Sequence, residues 1–376
     1  MSNTIAGEKP ARGTVLVYAA REREPEHERV VHFDIGRRIA DLLGMTFGGQ
    51  YEAGRSYPGP VYYLPTETII GEAMARNLGI TGENDLFGGV APYAFVPTKA
   101  ISHGLVDATA RSPEGWSPEF TRHTADSVLR GYTCFTLADA RVAGARLLGF
   151  GALRIKPVHA TGGRGQMLVL DAAQLDAALR DIDTSLLGEC GVVLEEHLND
   201  VETYSVGQAR IAGIVASYVG TQRLTKDNSG QEVYGGSDLI IARGNFGALM
   251  HADLLEHFHL AIGKARQYDQ AANECFQGFF ASRRNYDIAS GTDHAGQRRV
   301  GVLEQSWRVG GASNAEIAAI EVFHAKPDTQ LVHASTIEIF GDHVAPPAPA
   351  VQVYRGEDAE NGLVSKYVSV EPYGNE

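Results

Sequence analysis

The chain has 376 residues, of which 44% are hydrophobic and 21% are charged, and its formal net charge is −13. A chain of this length is too long for one small core, so we expect two or three packed lobes. The negative charge argues against an extended nucleic-acid-binding surface, because such a surface needs an excess of lysine and arginine. A site for a polyanion must therefore concentrate its few cations locally.

Cysteine usage and the apolar runs bear on location. The three cysteines, Cys134, Cys190 and Cys275, lie far apart in the chain, which favours a reducing compartment over a disulfide framework. Residues 1–12 lack the apolar stretch of a signal peptide, and no apolar run approaches the length of a membrane span. We therefore expect a cytoplasmic protein with neither nucleic acid nor membrane as a partner.

In chain order, the first apolar pattern predicts an α/β lobe. Residues 14–18 (TVLVY) form a short buried strand, the apolar residues of 27–44 share one helical face, and residues 61–69 are strand-like again. Strand, helix and strand in this succession are typical of an α/β lobe.

Helices and strands continue along the rest of the chain. The patterns predict helices over 137–149, 171–182, 251–275 and 312–323, and strands over 152–158, 167–171, 191–198 and, as two long strands, 203–224. Two further strands, 285–289 and 299–307, flank the loop 290–299 and predict a hairpin. Ser313 and Glu316 have the spacing of a capping box at the start of the last helix.

A glycine-rich loop follows a lysine in the segment RIKPVHATGGRGQMLV (154–169). Lys156 ends a strand pattern, and the loop after it contains Thr161, Gly162, Gly163, Arg164 and Gly165. It has neither the Walker A nor the Rossmann glycine pattern. Glycines between two strands let backbone N–H groups approach phosphate oxygens. Lys156 would add a point charge, and the guanidinium of Arg164 could donate paired hydrogen bonds to a phosphate. A plain hairpin with a solvated lysine is the alternative, and the commoner one for a glycine loop alone.

A second group of polar residues lies in GVLEQSWRVGGASNAE (301–316). Glu304, Ser306 and Arg308 share one strand face, and this combination suits Mg²⁺ plus phosphate. With the loop predicted above, Asp287 lies opposite Val302 and diagonal to Glu304, roughly 7–8 Å away, which allows two carboxylates to share metal ions. An exposed charged hairpin face is an equally favoured alternative.

The third segment, VVLEEHL (192–198), is an apolar strand that ends in two acids and a histidine. Such a strand could form a hinge between lobes, where backbone groups and a carboxylate meet an adenine edge. A strand end that turns to solvent is the more common meaning of this pattern.

Taken in order, these three segments resemble the ATP-grasp superfamily. RIKPVHATGGRGQ is similar to the lysine and flexible phosphate loop of its biotin carboxylase branch, VLEEHL to its adenine hinge, and LEQSWRVGG to its metal-binding Glu-x-Asn-x-Arg stretch. The whole chain also resembles an uncharacterised proteobacterial family of ATP-grasp-like proteins, a domain of unknown function. The resemblance implies a mixed α+β and α/β chain with an ATP-grasp fold and an N-terminal Rossmann-like pre-ATP-grasp lobe.

The resemblance also implies a division into lobes. The expected parts are an N-terminal α/β pre-ATP-grasp lobe (13–110), a small lid lobe with the glycine-rich loop (121–194), a C-terminal ATP-grasp lobe with the metal site (195–325) and a strand-rich C-terminal extension (326–376). ATP would lie between the lid and the C-terminal ATP-grasp lobe.

The family's functional residues carry over to matching positions. Lys156, on the α- and β-phosphates, and Arg308, on the transferred phosphoryl group or the acyl-phosphate, would be catalytic. Lys99 would match a further ATP-binding lysine that lies earlier in the family's sequences. Glu195, Glu196 and Leu198 would meet the adenine, and Glu202 the ribose. The residues over the β- and γ-phosphates would be Thr161, Gly162, Gly163, Arg164 and Gly165. The metal ligands would be Asp287, Glu304 and Ser306, where Ser306 replaces the usual Asn and shortens one ligand.

The implied function is that of a ligase that uses ATP and Mg²⁺ or Mn²⁺. A small-molecule carboxylate would be phosphorylated, and an amine or thiol acceptor would attack the acyl-phosphate. We place the acceptor near residues 226–246, which contain Tyr234, Ser237, Asp238 and Arg243. A nucleotide-binding regulatory or assembly protein without turnover, and a carboxylase or kinase on the same scaffold, stay open as alternatives. A homodimer is a further expectation.

Overall fold

The computed structural model describes residues 13–20, 24–158, 165–342, 349–359 and 361–373. Its strands are β1 (Thr14–Tyr18), β2 (Thr46–Gln50), β3 (Val61–Pro65), β4 (Ile69–Ile70), β5 (Gly89–Ala91), β6 (Gly131–Cys134), β7 (Leu153–Pro157), β8 (Met167–Val169), β9 (Val192–Glu196), β10 (Asn199–Ile211), β11 (Ile214–Lys226), β12 (Glu232–Arg243), β13 (Phe280–Ala281), β14 (Arg283–Thr292), β15 (Arg298–Ser306), β16 (Leu331–Phe340), β17 (Val351–Asp358) and β18 (Gly362–Pro372).

Helices connect and cover these strands. They are α1 (Glu26–Leu43), α2 (Glu72–Asn77), α3 (Pro118–Thr124), α4 (Leu137–Leu148), α5 (Ala172–Arg180), α6 (Leu187–Cys190), α7 (Phe246–Met250), α8 (Glu256–Cys275) and α9 (Ser313–Ala325), with one 3-10 turn at Lys99–Ser102. Within the described ranges, no helix is long and apolar enough to cross a membrane.

The N-terminal part is a parallel three-stranded sheet in the order β2-β1-β3. Helix α1 covers one face with Val31, Ile35 and Ile39, and it ends at Gly44, whose φ of 63° lies in the left-handed region that suits glycine. The strand–helix–strand prediction is confirmed here. Helix α1 also contacts α9 and β17, so it joins this sheet to the larger one.

The largest sheet has eight antiparallel strands in the order β15-β14-β10-β11-β12-β16-β18-β17. Helix α9 packs on one face, together with α1, and helix α8 packs on the other. Residues alternate between these faces along each strand, so one strand serves two cores. The face that carries α9 also carries, toward the β14–β15 edge, the polar residues described below.

A separate antiparallel sheet, β6-β9-β7-β8, carries the segment around Lys156. Helices α4 and α5 cover it through a core that includes Leu147, Leu153 and Leu194. Strands β7 and β8 pair with each other, as predicted for strands on either side of the glycine loop. Gly165, the first described residue after residues 159–164, has a φ of 68°, a conformation that non-glycine residues rarely adopt.

Two local predictions were wrong. Strands β14 and β15 pair as far as Thr292 and Arg298, so the hairpin loop is 293–297 rather than 290–299. Ser313 and Glu316 form no capping box: Ala312 is the N-cap of α9, Ser313 Oγ accepts from the Gly310 N–H at 3.0 Å, and Glu316 is buried. The capping box fails because Glu316 is buried, where it forms an ion pair with Arg283.

The strands after residue 325 extend the eight-stranded sheet. Strand β16 pairs with β12, and β18 lies between β16 and β17. The strand-rich pattern expected over 326–376 is therefore part of the same sheet as β10–β12. The lobe boundaries themselves stay predictions.

Candidate functional site

Two acids of the β14–β15 hairpin lie directly opposite each other. The register pairs Asp287 with Glu304 and Ile288 with Val302, so Leu303 forms a β-bulge. Our prediction that Asp287 lies opposite Val302 and diagonal to Glu304 is wrong, because the loop is shorter than expected and the bulge adds one residue to β15. The bulge lets Val302 be fully buried in the α8 core while Glu304 joins Asp287 on the other face.

Three side chains donate hydrogen bonds to one oxygen of Asp287. Gln222 Nε2 lies 2.8 Å, Asn285 Nδ2 2.9 Å and Ser205 Oγ 3.4 Å from Asp287 Oδ1. Burial and the neighbouring Glu304 carboxylate raise the pKa of Asp287 to about 6. Two ionised carboxylates in directly opposed positions repel each other, and a cation between them would stabilise both.

Lys99 brings a buried cation to this acid pair. Its Nζ lies 2.8 Å from Glu304 Oε2, and only 5% of the residue is exposed. Lys99 begins the 3-10 turn, and Gln305 Nε2 fastens the preceding loop to β15 by donating to the carbonyl oxygens of Val96 and Thr98 at 2.8 and 2.7 Å. The loop is thus held beside the bulge, which fixes the position of Lys99.

A second buried lysine lies in the sheet β6-β9-β7-β8. Lys156 donates to Glu195 Oε1, and His103 Nε2, which directly follows the 3-10 turn, donates to Glu195 Oε2 at 2.9 Å. All three side chains are almost fully buried. Burial alone would raise the pKa of Glu195, but the Lys156 ammonium and the His103 hydrogen bond outweigh it and hold the pKa at about 2. Glu195 is therefore an ionised anchor for Lys156.

Glu196 connects this sheet to the hairpin. Its carboxylate accepts from the Arg130 backbone N–H at 2.8 Å and from Arg299 Nε of β15 at 3.1 Å. Its own N–H donates to the Arg130 carbonyl oxygen at 2.9 Å. The Glu196 backbone N–H is therefore already used within the protein.

An apolar cluster lies between the hinge segment and the bulge. It contains Leu198, Leu129 and Ala289, with the bulge residue Leu303 packed against them. Apolar walls with a few nearby backbone groups are typical of sites that bind a planar ring. The position of Leu198 is compatible with the adenine contact that the sequence predicts.

Arg308 lies just beyond β15, two residues after Ser306. Its Nε is 3.1 Å from Glu67 Oε2 and its Nη1 donates to the Val309 carbonyl oxygen at 2.9 Å. The backbone of this loop is held by the buried Arg283, whose Nη1 donates to the Arg308 carbonyl oxygen at 2.7 Å. The guanidinium is partly exposed, so an anion can reach it.

Some predicted site residues are placed differently. Ser306 Oγ accepts from Arg283 Nη1 at 3.3 Å, so this hydroxyl faces a positive charge, which is unfavourable for a metal ligand. Glu202 accepts from the Tyr204 hydroxyl at 2.6 Å and shares the face of Tyr204, opposite to that of Asp287. Thr161, Gly162, Gly163 and Arg164 lie outside the described residues.

The segment proposed for the acceptor divides between the two faces of the sheet. Ser237 pairs with Gln222 and therefore shares the face of Asp287, and the Tyr234 hydroxyl lies 2.8 Å from Ser237 Oγ. The Tyr234 ring packs against Gly311, where a Cβ would approach it to 2.6 Å. Asp238 lies on the opposite face, where it accepts from Arg223 and Ser335, and Arg243 Nη1 donates to the Phe323 carbonyl oxygen at 2.7 Å.

Sequence reasoning missed several residues that shape the site. For Asn285 and Arg283 a signal existed, because Arg283, Asn285 and Asp287 alternate along one face of a strand. His103 and Gln222 gave no signal, since each reaches the site only through contacts that are distant in sequence.

The residues present fit a hard divalent cation that a nucleotide helps to bind. Within the described residues, no group of three or more His, Cys, Asp or Glu side chains could hold a metal by itself. Asp287 and Glu304 offer two carboxylates, and Mg²⁺ commonly binds through one or two carboxylates, substrate phosphates and water. Such a cation would also relieve the repulsion between the two acids.

The chain adopts the ATP-grasp fold, as solved structures show. It is similar to N5-carboxyaminoimidazole synthetase from Staphylococcus aureus complexed with ADP (11% identity, TM-score 0.57, 97% of this chain and 94% of that chain covered). It is similar to the biotin carboxylase domain of 2-oxoglutarate carboxylase from Hydrogenobacter thermophilus, complexed with MgADP, ADP and bicarbonate (12% identity, TM-score 0.52, 97% of this chain and 87% of that chain covered). It is also similar to biotin carboxylase from Campylobacter jejuni, with 11% identity, a TM-score of 0.50, and 96% of this chain and 87% of that chain covered. The predicted fold class is confirmed, and the branch of the superfamily stays a prediction.

The chain belongs to the family described as "Protein of unknown function (DUF3182)", whose model matches residues 15–368. A comparison with curated proteins gave no match.

Proposed function

We propose that this protein is an ATP-dependent ligase that joins a carboxylate to an amine or a thiol. The observation that carries the proposal is the Asp287–Glu304 pair, which the β-bulge places on one face beside the buried Lys99. Paired acids next to a buried cation suit a Mg²⁺-bound phosphate chain, and the fold agrees with that use.

Mg²⁺ or Mn²⁺, when bound, would neutralise charge on the phosphates of ATP. Asp287 and Glu304 would hold the ion. Lys99 and Lys156 would contact phosphate oxygens, with Glu195 and His103 holding Lys156 in place. In this proposal Glu195 holds Lys156 instead of meeting the adenine, because its two oxygens contact Lys156 and His103. Ser306 is left out as a metal ligand and Glu202 as a ribose ligand.

The chemistry would proceed in two steps. The substrate carboxylate attacks the terminal phosphorus of ATP, which gives an acyl-phosphate and ADP. The amine or thiol then attacks the acyl carbon, and phosphate leaves. Arg308 would stabilise charge on the transferred phosphoryl group, and the fastening of its loop by Arg283 would hold it in position. Thr161, Gly162, Gly163, Arg164 and Gly165 would complete the phosphate contacts from the lid.

The nucleotide would bind between the sheet that carries Lys156 and the eight-stranded sheet. Glu196, through its carbonyl oxygen, and Leu198 would meet the adenine, and the apolar cluster beside Leu198 would pack on the ring. The carboxylate substrate would lie near Arg308, Tyr234 and Ser237. A cytoplasmic, homodimeric enzyme remains part of the proposal.

Titration calorimetry with Mg·ATP tests the proposal. The wild-type protein should bind Mg·ATP, and Lys99→Met should weaken binding at least tenfold. Lys366→Met is a matched control, because Lys366 forms a comparable ion pair with Glu338 at 3.0 Å in β18 and β16. A panel of carboxylates with ammonia, glycine or a thiol should then give ADP only with the correct pair. Absence of Mg·ATP binding to the wild type would remove the proposal.

A second candidate is a nucleotide-binding protein without turnover. It is favoured by one observation: each of the three proposed cations already contacts a carboxylate, in the pairs Lys99–Glu304, Lys156–Glu195 and Arg308–Glu67. In a working ligase these contacts must be shared with or given up to phosphate. Mg·ATP binding with no ADP release across the substrate panel would favour this second candidate.

A further inference from the structure

One oxygen of Asp287, Oδ1, accepts hydrogen bonds from neighbouring side chains. Oδ1 accepts hydrogen bonds from Gln222 and Asn285 at 2.8 and 2.9 Å and a longer one from Ser205 at 3.4 Å, so both lone pairs of that oxygen are occupied. The second N–H of the Gln222 amide donates to Ser205 Oγ at 2.9 Å. The Gln222 side chain is thereby fixed at both of its donors.

The amide oxygen of Asn285 lies against a buried hydroxyl. Its Oδ1 lies 2.9 Å from the Tyr218 hydroxyl, which is in turn 2.6 Å from Glu316 Oε1. Tyr218 reaches this position over Gly207, where a Cβ would come within 2.3 Å of the hydroxyl oxygen. The single hydroxyl hydrogen of Tyr218 goes to Asn285 or to Glu316, so Asn285 is positioned by its hydrogen bond to Asp287 and by the buried Tyr218 hydroxyl beside its amide oxygen.

We infer that Gln222 and Asn285 form an amide clamp that makes Asp287 a one-oxygen ligand and so selects Mg²⁺ or Mn²⁺ over Ca²⁺. The inference rests on the proposed function, in which Asp287 and Glu304 hold the cation. With Oδ1 occupied, Asp287 binds a cation through Oδ2 alone. Mg²⁺ accepts a single carboxylate oxygen in octahedral geometry, whereas Ca²⁺ needs six to eight oxygens and often takes both from one carboxylate.

The clamp residues are positioning residues, because they act on the cation through Asp287. Groups that orient a metal-binding carboxylate in this way typically contribute 10- to 100-fold to metal affinity. Their loss should also let Asp287 rotate and offer two oxygens. The expected signature is a change in the ratio of Mn²⁺ to Ca²⁺ affinity, which a merely structural role would leave unchanged.

The test uses the full chain and MnCl₂ followed by electron paramagnetic resonance, with CaCl₂ as competitor, alone and with a non-hydrolysable ATP analogue. Gln222→Met keeps the side-chain volume and removes both donors, and Asn285→Ala removes the second arm. Gln208→Met is the matched control, because Gln208 lies on the opposite face of β10 and contacts Ser217. Circular dichroism establishes that each variant is folded, and Gln222→Met carries the test if Asn285→Ala is not.

The expected result is that Gln222→Met weakens Mn²⁺ binding about 10- to 100-fold and narrows the preference over Ca²⁺, while Gln208→Met behaves as wild type. Unchanged Mn²⁺ affinity and unchanged Ca²⁺ competition in Gln222→Met would overturn the clamp and leave the proposed function standing. If wild type binds no Mn²⁺ even with the ATP analogue, the metal site of the proposed function fails, and the clamp fails with it.

Discussion

Asp287 and Glu304 face each other across β14 and β15 because one extra residue, Leu303, bulges out of β15. Without an extra residue, Val302 and Glu304 would point to the same face of the sheet. The fully buried Val302 belongs to the core under α8, so a regular strand could satisfy either that core or the acid pair. The bulge satisfies both, and bulges of this kind often lie beside functional sites.

The first prediction concerns how much the Asp287–Glu304 pair lowers the unfolding free energy. Since the pKa of Asp287 is raised from 3.8 to about 6 by burial and by Glu304, the folded state binds its proton more tightly than the unfolded state. The contribution of Asp287 to the unfolding free energy should therefore fall as pH rises from about 4 to about 6 and stay lowered above that. We expect Asp287→Asn to stabilise the metal-free protein at pH 8 by on the order of 1–2 kcal/mol, allowing for partial exposure, and to abolish Mn²⁺ binding.

Urea unfolding at pH 4 and pH 8 measures this effect, and Asp238→Asn is the control. Burial opposes ionisation of Asp238, but Arg223 and Ser335 outweigh it and lower its pKa. Removal of that charge should destabilise the protein at pH 8. If Asp287→Asn also destabilises the protein at pH 8, the acid pair is not under the repulsion described here.

The second prediction separates the structural and functional roles of Lys156. Lys156→Met should destabilise the protein by about 3 kcal/mol, because it leaves the ionised, buried Glu195 with His103 alone. The double variant Lys156→Met/Glu195→Gln removes the uncompensated charge and should recover most of that stability. It should not recover Mg·ATP binding, since only the lysine would contact phosphate.

Thermal unfolding and titration calorimetry on both variants measure these outcomes. Recovery of nucleotide binding in the double variant would show that Lys156 acts on stability alone. A double variant as unstable as Lys156→Met would mean that the ion pair matters less than the packing of the lysine stem.

The sequence predicts much of the fold because its signals are local. The apolar period of α1 and the strand patterns of β1 and β7 lie within short segments, and the structure contains each of them within one or two residues of the prediction. The ATP-grasp fold followed from the order of three motifs. The register of the β14–β15 hairpin did not follow, because a bulge leaves no mark in a period-2 pattern.

The sequence placed residues of the candidate site together where they share a strand face. Asp287, Glu304 and Arg308 came from such patterns and from the resemblance. His103 and Gln222 could not be predicted, because their contacts with Glu195 and Asp287 span 92 and 65 residues. Glu316 had the spacing of a capping residue, but burial of Arg283 beside it decided its partner.

The third prediction concerns Lys99, which contacts Glu304 in this structure. Lys99→Met removes a cation from the acid pair, so Mn²⁺ alone should bind more tightly, by several-fold, because the ion no longer competes with the ammonium. The same variant should bind the ATP analogue more weakly, since one phosphate contact is lost. Paramagnetic resonance titration of Mn²⁺ with and without the analogue measures both changes, with Lys366→Met as the control. If the affinities for Mn²⁺ and for the ATP analogue both rose or both fell in Lys99→Met, Lys99 would not compete with the metal and bind phosphate as proposed.

The fourth prediction compares two arginine–glutamate pairs of similar geometry. Arg283 makes three contacts with Glu316 in the interior, two from Nε at 3.1 Å and one from Nη2 at 2.7 Å, and both side chains are almost fully buried. Arg38 makes a bidentate pair with Glu321 at 2.8 and 2.7 Å near the surface. Arg283→Met should cost about 3–5 kcal/mol, because Glu316 keeps a buried, uncompensated charge.

Arg38→Met should cost no more than about 1 kcal/mol, since water can solvate Glu321. Urea unfolding of the two variants gives the comparison directly. Adding Glu316→Gln to Arg283→Met should restore part of the loss, because it removes the buried charge, but it cannot replace the donors that Arg283 gives to the Arg308 and Ser306 carbonyl oxygens. Equal losses of unfolding free energy for Arg283→Met and Arg38→Met would mean that burial does not set the strength of these pairs.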